Sequence, residues 1–145
     1  MNSVESFLTA TEEQEIVQAI QKAEFNTSGE IRVHIEKITS KDVMDRAKEV
    51  FFDLKMNQTK DRNGILLYVA TDSKKFAILG DSGIDQKVPS HFWQDETDMI
   101  IGLFAQKQNC LALTKGIEKV GEKLKAFFPY QSDDRNELTN EISKG

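Results

Sequence analysis

The chain has 145 residues, 39% of them hydrophobic and 30% charged, with a formal net charge of −5. That length suits one domain with a single sizeable core, and the acidic balance excludes general nucleic-acid binding, which needs basic patches to displace counterions. The single cysteine, Cys110, excludes an intramolecular disulfide and a thiolate metal cluster.

The first 15 residues carry Glu5, Glu12, Glu13 and Glu15 with no basic start and no long apolar run, which predicts neither a secretory signal nor a membrane anchor. No run approaches the roughly 18 apolar residues that span a bilayer. A cytoplasmic protein with no membrane partner is therefore expected. Thr11 and Gln14 fit a capping box, and Ile16, Val17, Ile20 and Ala23 then recur at helical spacing as far as Phe25. Asn26-Thr27-Ser28-Gly29 reads as a turn. Ile31, Val33 and Ile35 alternate with Arg32, His34 and Glu36, which predicts a strand with one buried face, nearer a sheet edge than its centre.

Ser40 can cap a second helix, whose stripe is Val43, Ala47, Val50, Phe51 and Leu54. Ile65 to Ala70 is apolar at every position, as a central strand covered on both faces requires. Strand, helix and strand in this order form a βαβ unit with parallel strands and a right-handed crossover. Lys75 to Gly80 then returns as the second arm of a hairpin. Pro89 suits the first turn of a third helix lined by Phe92, Met99, Ile100, Leu103 and Phe104. After a break at Gln106 to Asn109, a fourth helix carries Leu113, Ile117, Val120, Leu124 and Phe127 and stops at Pro129. Cys110, near its start, reads as a buried small residue. These elements place one domain in residues 1–129. Residues 130–145 read as a polar, mobile tail with a short helix around Glu137 to Ile142, in which Asp133, Asp134, Glu137 and Glu141 are solvated charges.

The hairpin concentrates acidic residues at its open end. If Ala70 pairs near Lys75, Gly64 pairs near Asp81, and Asp61 lies opposite Ile84 and Asp85. A parallel βαβ unit brings Ser28, Gly29 and Glu30 to the same edge. Asp61, Asp81 and Asp85, with Glu30 or Asn63 as helpers, then offer the hard oxygen donors that Ca²⁺ or Mg²⁺ prefer. The segment from Gly83 to Val88 is expected to be a loop that such an ion would order. Asp, Asn, Ser and Gly also favour turns through local hydrogen bonding, so turn chemistry competes with a site here. His34 and His91 lie on different elements and predict no zinc pair. Phe92 and Trp93 are expected to pack against the sheet.

The residues Ser28-Gly29-Glu30-Ile31-Arg32-Val33, Arg62 through Ala70, Lys75 through Ile84, and the helix from Gly116-Ile117 to Phe128-Pro129 resemble the TPM domain family. The likeness covers about residues 10–130, and the tail Asn136-Glu137-Leu138-Thr139-Asn140-Glu141-Ile142 resembles the compact cytosolic bacterial branch. The resemblance implies a three-layer α/β/α sandwich with a mixed sheet, divalent-cation binding at the acidic loops and a weak acid phosphatase activity. Many members read Asp-Asn-Gly where this chain has Asp61-Arg62-Asn63-Gly64, which displaces the aspartate by one residue. No Cys-x5-Arg signature, Asp-x-Asp-x-Thr motif or Arg-His-Gly pocket accompanies the carboxylates. Phosphoryl transfer needs positioned positive charge and a nucleophile, so the leading expectation is cation binding with a ligand- or partner-binding role. A metal-dependent phosphomonoesterase at the same edge and a protein interaction module without a working metal site are the alternatives.

Overall fold

The computed structural model describes residues 7–130 and 138–145. Helix α1 spans Ala10–Glu24 and strand β1 Glu30–Glu36. Helix α2 spans Val43–Asp53, followed by a 3₁₀ turn at Met56–Gln58. Strands β2 (Gly64–Ala70) and β3 (Lys75–Gly80) form the hairpin, and a short helix α3 (Ser82–Asp85) follows. Helices α4 (Gln94–Ala105) and α5 (Asn109–Phe127) precede a two-residue strand β4 (Ser143–Lys144).

The sheet order is β3-β2-β1-β4. β1 runs parallel to β2 with Glu30 opposite Gly64, and β2 runs antiparallel to β3 with Ala70 opposite Lys75. This is the expected mixed sheet with its βαβ unit and hairpin. Side-chain alternation sorts the central strand between two cores. Ile65, Leu67 and Val69 join Ile31, Val33, Ile35, Ile16, Ile20, Ile100, Leu113 and Ile117 on the face covered by α1, α4 and α5. Leu66, Tyr68 and Ala70 join Ala47, Val50 and Phe51 of α2 on the other. Every residue of β2 is buried, and each such large apolar side chain contributes roughly 1.5–3 kcal/mol. The result is an α/β sandwich with helices on both faces.

Local chemistry moved several boundaries. Two overlapping capping boxes are available at the start of α1, and the chain uses Thr9 with Glu12 instead of Thr11 with Gln14. The Glu12 amide donates to Thr9 Oγ1 (3.1 Å), and the Thr9 amide donates to Glu12 Oε1 (2.9 Å). A carboxylate is the stronger acceptor of the two candidates. At α2 the cap is Asp42, not Ser40, because one carboxylate oxygen takes the amides of both Met44 (3.0 Å) and Asp45 (3.3 Å). Pro89 does not open the third helix. Residues 90–93 form a turn with His91 at φ 62°, and α4 begins at Gln94. Lys123 Nζ donates to the Phe92 carbonyl (2.7 Å), and the Phe92 ring meets Phe127 edge-on at 5.6 Å. Those contacts hold Phe92 on the end of α5 and outside the α4 helix.

The C-terminal segment also differs from expectation. Residues 138–142 are not helical, and Glu137, Asp133 and Asp134 lie outside the described residues. Leu138 packs into the core beneath α2, and Ser143 and Lys144 pair with His34 and Ile35. β1 is consequently an inner strand, and β3 is a true edge. The polar alternation of β1 suggested an open face. Instead Glu30, His34 and Glu36 are buried, and His34 and Glu36 hydrogen-bond to each other.

Candidate functional site

The open end of the hairpin forms as the pairing predicts. The Asp81 amide donates to the Gly64 carbonyl (2.9 Å), one step beyond the Ile65–Gly80 pair. The Gly83 amide donates to the Arg62 carbonyl (2.9 Å). The two loops touch so closely that a Cβ on Gly83 would stand 2.3 Å from the Asp61 carbonyl oxygen and 2.6 Å from that of Arg62. On the other side, the Glu30 amide donates to the Asn63 carbonyl (3.1 Å), and Asn63 Nδ2 donates to the Ser28 carbonyl (2.8 Å). The three loops at residues 28–30, 61–63 and 81–85 are thus stitched together. The 83–88 segment is partly helical, because Asp81 caps α3 through the Ser82 amide (2.6 Å).

The five expected ligands are placed unequally. Asp81 is buried, and Arg62 holds its carboxylate with two hydrogen bonds, Nε to Oδ2 at 2.8 Å and Nη2 to Oδ1 at 2.9 Å. Arg62 achieves this from a left-handed backbone, φ 50°, which is uncommon for a residue with a side chain. Asp61 and Asp85 are exposed. Partial burial of the carboxyl, then the Asp81 charge, push Asp85 above its ordinary pKa, and Lys48 opposes the shift. Glu30 is buried and accepts the Leu138 amide at Oε1 (2.8 Å). Asn63 is buried with its Oδ1 lacking a donor among the described residues. Buried acceptors are rarely left unsatisfied, so this oxygen is the feature that most directly invites a ligand. No group of three carboxylate, imidazole or thiolate side chains stands close enough to hold a metal ion among the described residues.

Two participants were not legible in chain order. Arg62 sits between the candidate ligands as a competitor for Asp81. Glu24, at the end of α1, accepts the Ile31 amide (3.0 Å) beside Glu30. Burial, opposed by that hydrogen bond and reinforced by the Glu30 charge, pushes Glu24 up to about 8.

At the far end of β1 a second polar cluster closes the α2 side of the sheet. Glu36 accepts from Arg46 Nε (2.8 Å), Arg46 Nη2 (2.9 Å), His34 Nε2 (3.2 Å) and the Tyr68 hydroxyl. Because Nε2 faces a carboxylate it carries the ring proton, and Nδ1 accepts from Ser143 Oγ (2.9 Å). Burial alone would raise Glu36, but the Arg46, Tyr68 and His34 hydrogen bonds outweigh it and hold the carboxyl at about 2. His34 is shifted down by burial, against the Glu36 bond and charge. The linkage has a definite sign. A carboxyl lower in the folded than in the unfolded chain contributes stability above its unfolded pKa, lost as pH falls through the folded one. For Glu36 the window runs from about 4.5 down to about 2. Urea unfolding across that range is expected to show a steep loss of stability, and Glu36→Gln is expected to flatten it. Cys110 offers no nucleophile. Its thiol donates to Glu15 Oε2 (3.2 Å), and burial with the Glu15 and Glu12 charges pushes it up to about 12.

Among the described residues no helix is long and apolar enough to cross a membrane. No curated protein matches the chain. The solution structure of the BA42 protein from the psychrophilic bacterium Bizionia argentinensis is 51% identical, with a TM-score of 0.91 over 98% of each chain. The N-terminal domain of a P. gingivalis protein matches with a TM-score of 0.69 at 17% identity, over 86% of this chain and 82% of that one. The N-terminal domain of the cg2496 protein from Corynebacterium glutamicum gives 0.64 at 12% identity, over 80% and 73%. At those identities the last two likenesses concern the fold alone. The TPM domain family model matches residues 1–123, and the chain belongs to the TPM domain family.

Proposed function

We propose that this chain is a divalent-cation-binding domain whose site is the acidic loop edge, with a binding role and not a catalytic one. The observation that carries the reading is the buried Asn63 Oδ1, without a donor among the described residues and set between loops that are locked backbone to backbone. The donor chemistry fits Ca²⁺ or Mg²⁺. The carboxylates of Asp61, Asp81 and Asp85, the Asn63 oxygen and the adjoining backbone carbonyls are all hard oxygen ligands. Glu30 already accepts the Leu138 amide, so its part is to support the loops.

Arg62 gives the site a built-in competitor. The buried Asp81 charge must be compensated at all times, because an unpaired buried carboxylate costs several kcal/mol. Arg62 supplies that compensation, and a cation would take it over as the guanidinium swings out. Calorimetric titration of Ca²⁺ and Mg²⁺ tests this competition. Arg62→Ala is expected to bind either ion several-fold more tightly than the wild type, and Asp81→Asn is expected to lose the binding heat. Equal affinity in all three proteins would remove Asp81 from the site.

A further inference from the structure

We propose that a lysine-rimmed apolar cleft at the carboxyl end of β2 binds an amphipathic monoanion, an apolar chain or ring ending in a carboxylate. The cleft holds about 490 Å³, a volume within the range of small-molecule sites. Its floor is aromatic. Phe104 meets Phe7 edge-on at 5.5 Å and Phe76 edge-on at 5.8 Å. Ile101, 47% exposed, extends that apolar surface.

The rim has the opposite character. Lys74, Lys75 and Lys107 line the cleft, and among the described residues no acidic one does. Lys75 Nζ donates to the Lys41 carbonyl (3.3 Å), so that residue offers its methylene stem. Lys74 and Lys107 are exposed and have no ion-pair partner among the described residues, on a chain of net charge −5. Both stand on left-handed backbone, φ 54° and 59°, a conformation that carries local strain in residues with a side chain. Glu12 and Glu15 line the adjacent depression, which shares Lys107 and Asn109. They are engaged there, Glu12 with the Thr9 amide and Glu15 with the Cys110 thiol.

Neither half of this surface is explained by a simpler ligand. An inorganic anion has no use for the aromatic floor, and a neutral apolar molecule has none for two uncompensated ammonium groups. The position also fits, since open α/β sheets bind ligands beyond the carboxyl ends of their parallel strands. Val69 and Ala70, which end β2, and Thr71 just beyond them line this cleft. It lies at the opposite end of β2 from the acidic loops, so the inference does not rest on cation binding.

Decanoate, decanol and acetate are the probes, followed by amide NMR shifts on the full chain. Decanoate at millimolar concentration is expected to give saturable shifts at Lys74, Phe76, Phe104 and Lys107, with decanol weaker and acetate silent. The double substitution Lys74→Gln with Lys107→Gln keeps both stems and removes both charges. It is expected to weaken decanoate about tenfold, as the loss of two exposed charge contacts implies, and to leave decanol unchanged. Both positions are exposed, so the variant's spectrum elsewhere should match the wild type. The proposal is overturned by the absence of saturable decanoate shifts, by equal decanoate affinity in the double variant, or by decanol binding as tightly as decanoate.

Discussion

Replacing Glu36 with alanine is expected to destabilise the domain by about 3–5 kcal/mol, the usual cost of removing one partner from a buried ion pair. The loss exceeds that of a surface salt bridge because Glu36 is 5% exposed and accepts four hydrogen bonds from three side chains at once. Without it the Tyr68 hydroxyl and His34 Nε2 lose their acceptor in a water-poor interior, and Arg46 keeps only Glu49 (3.0 Å). Tyr68→Phe makes the instructive comparison. It removes a single hydroxyl and leaves the carboxylate with Arg46 and His34, so about 1–2 kcal/mol is expected. Urea unfolding of both variants measures the difference. A Glu36→Ala loss no larger than that of Tyr68→Phe would mean that Arg46 and His34 find water or other acceptors freely.

The second large effect belongs to Gly83. A methyl group there would collide with the backbone oxygens of Asp61 and Arg62 at 2.3 and 2.6 Å, and neither atom can move without parting the loops. Gly83→Ala is therefore expected to cost about 2–3 kcal/mol through overpacking. It should also shift amide resonances throughout residues 61–64. Gly116→Ala is the control. Its Cβ would meet Ile100 Cδ1 at 2.4 Å and Cγ1 at 2.9 Å, but both atoms belong to a side chain, which can shift within the core where the loop backbone oxygens cannot. Alanine in mid-helix also gains about 1 kcal/mol of propensity over glycine, so Gly116→Ala should fall well below Gly83→Ala. Equal costs at the two positions would show that the 61–62 loop yields easily.

The sheet was readable because its signals are local and strong. The apolar run from Ile65 to Ala70, short and bounded by turn residues, suits a central strand covered on both faces, and all seven residues from Gly64 to Ala70 are buried there. A short hairpin turn then fixes the register that carries Asp81 to Gly64 and Gly83 to Arg62. Helix starts were less legible, because Thr9 and Thr11, or Ser40 and Asp42, both satisfy a capping pattern, and only the final hydrogen bonds choose. β4 was illegible for a different reason. Ser143 and Lys144 are not strand formers, and their pairing depends on His34 and Ile35, more than a hundred residues away.

The candidate site shows the same division. Convergence of the three loops followed from strand order, whereas the direction of each side chain did not. Arg62 turned onto Asp81 because its left-handed backbone aims it there. The alternation of β1 was read as one dry and one wet face. The polar side chains instead satisfy one another: His34 and Arg46 meet Glu36, and Ser143 meets His34. Spacing in sequence does not distinguish a solvated polar face from a buried, mutually bonded one.

The most direct test is to titrate the wild-type chain with Ca²⁺ and with Mg²⁺ while following amide chemical shifts. Cation binding at the acidic edge predicts saturable shifts concentrated at residues 61–64 and 81–86, together with a change at the Arg62 side chain as it leaves Asp81. Silence at those residues, or shifts confined to other parts of the surface, would contradict it.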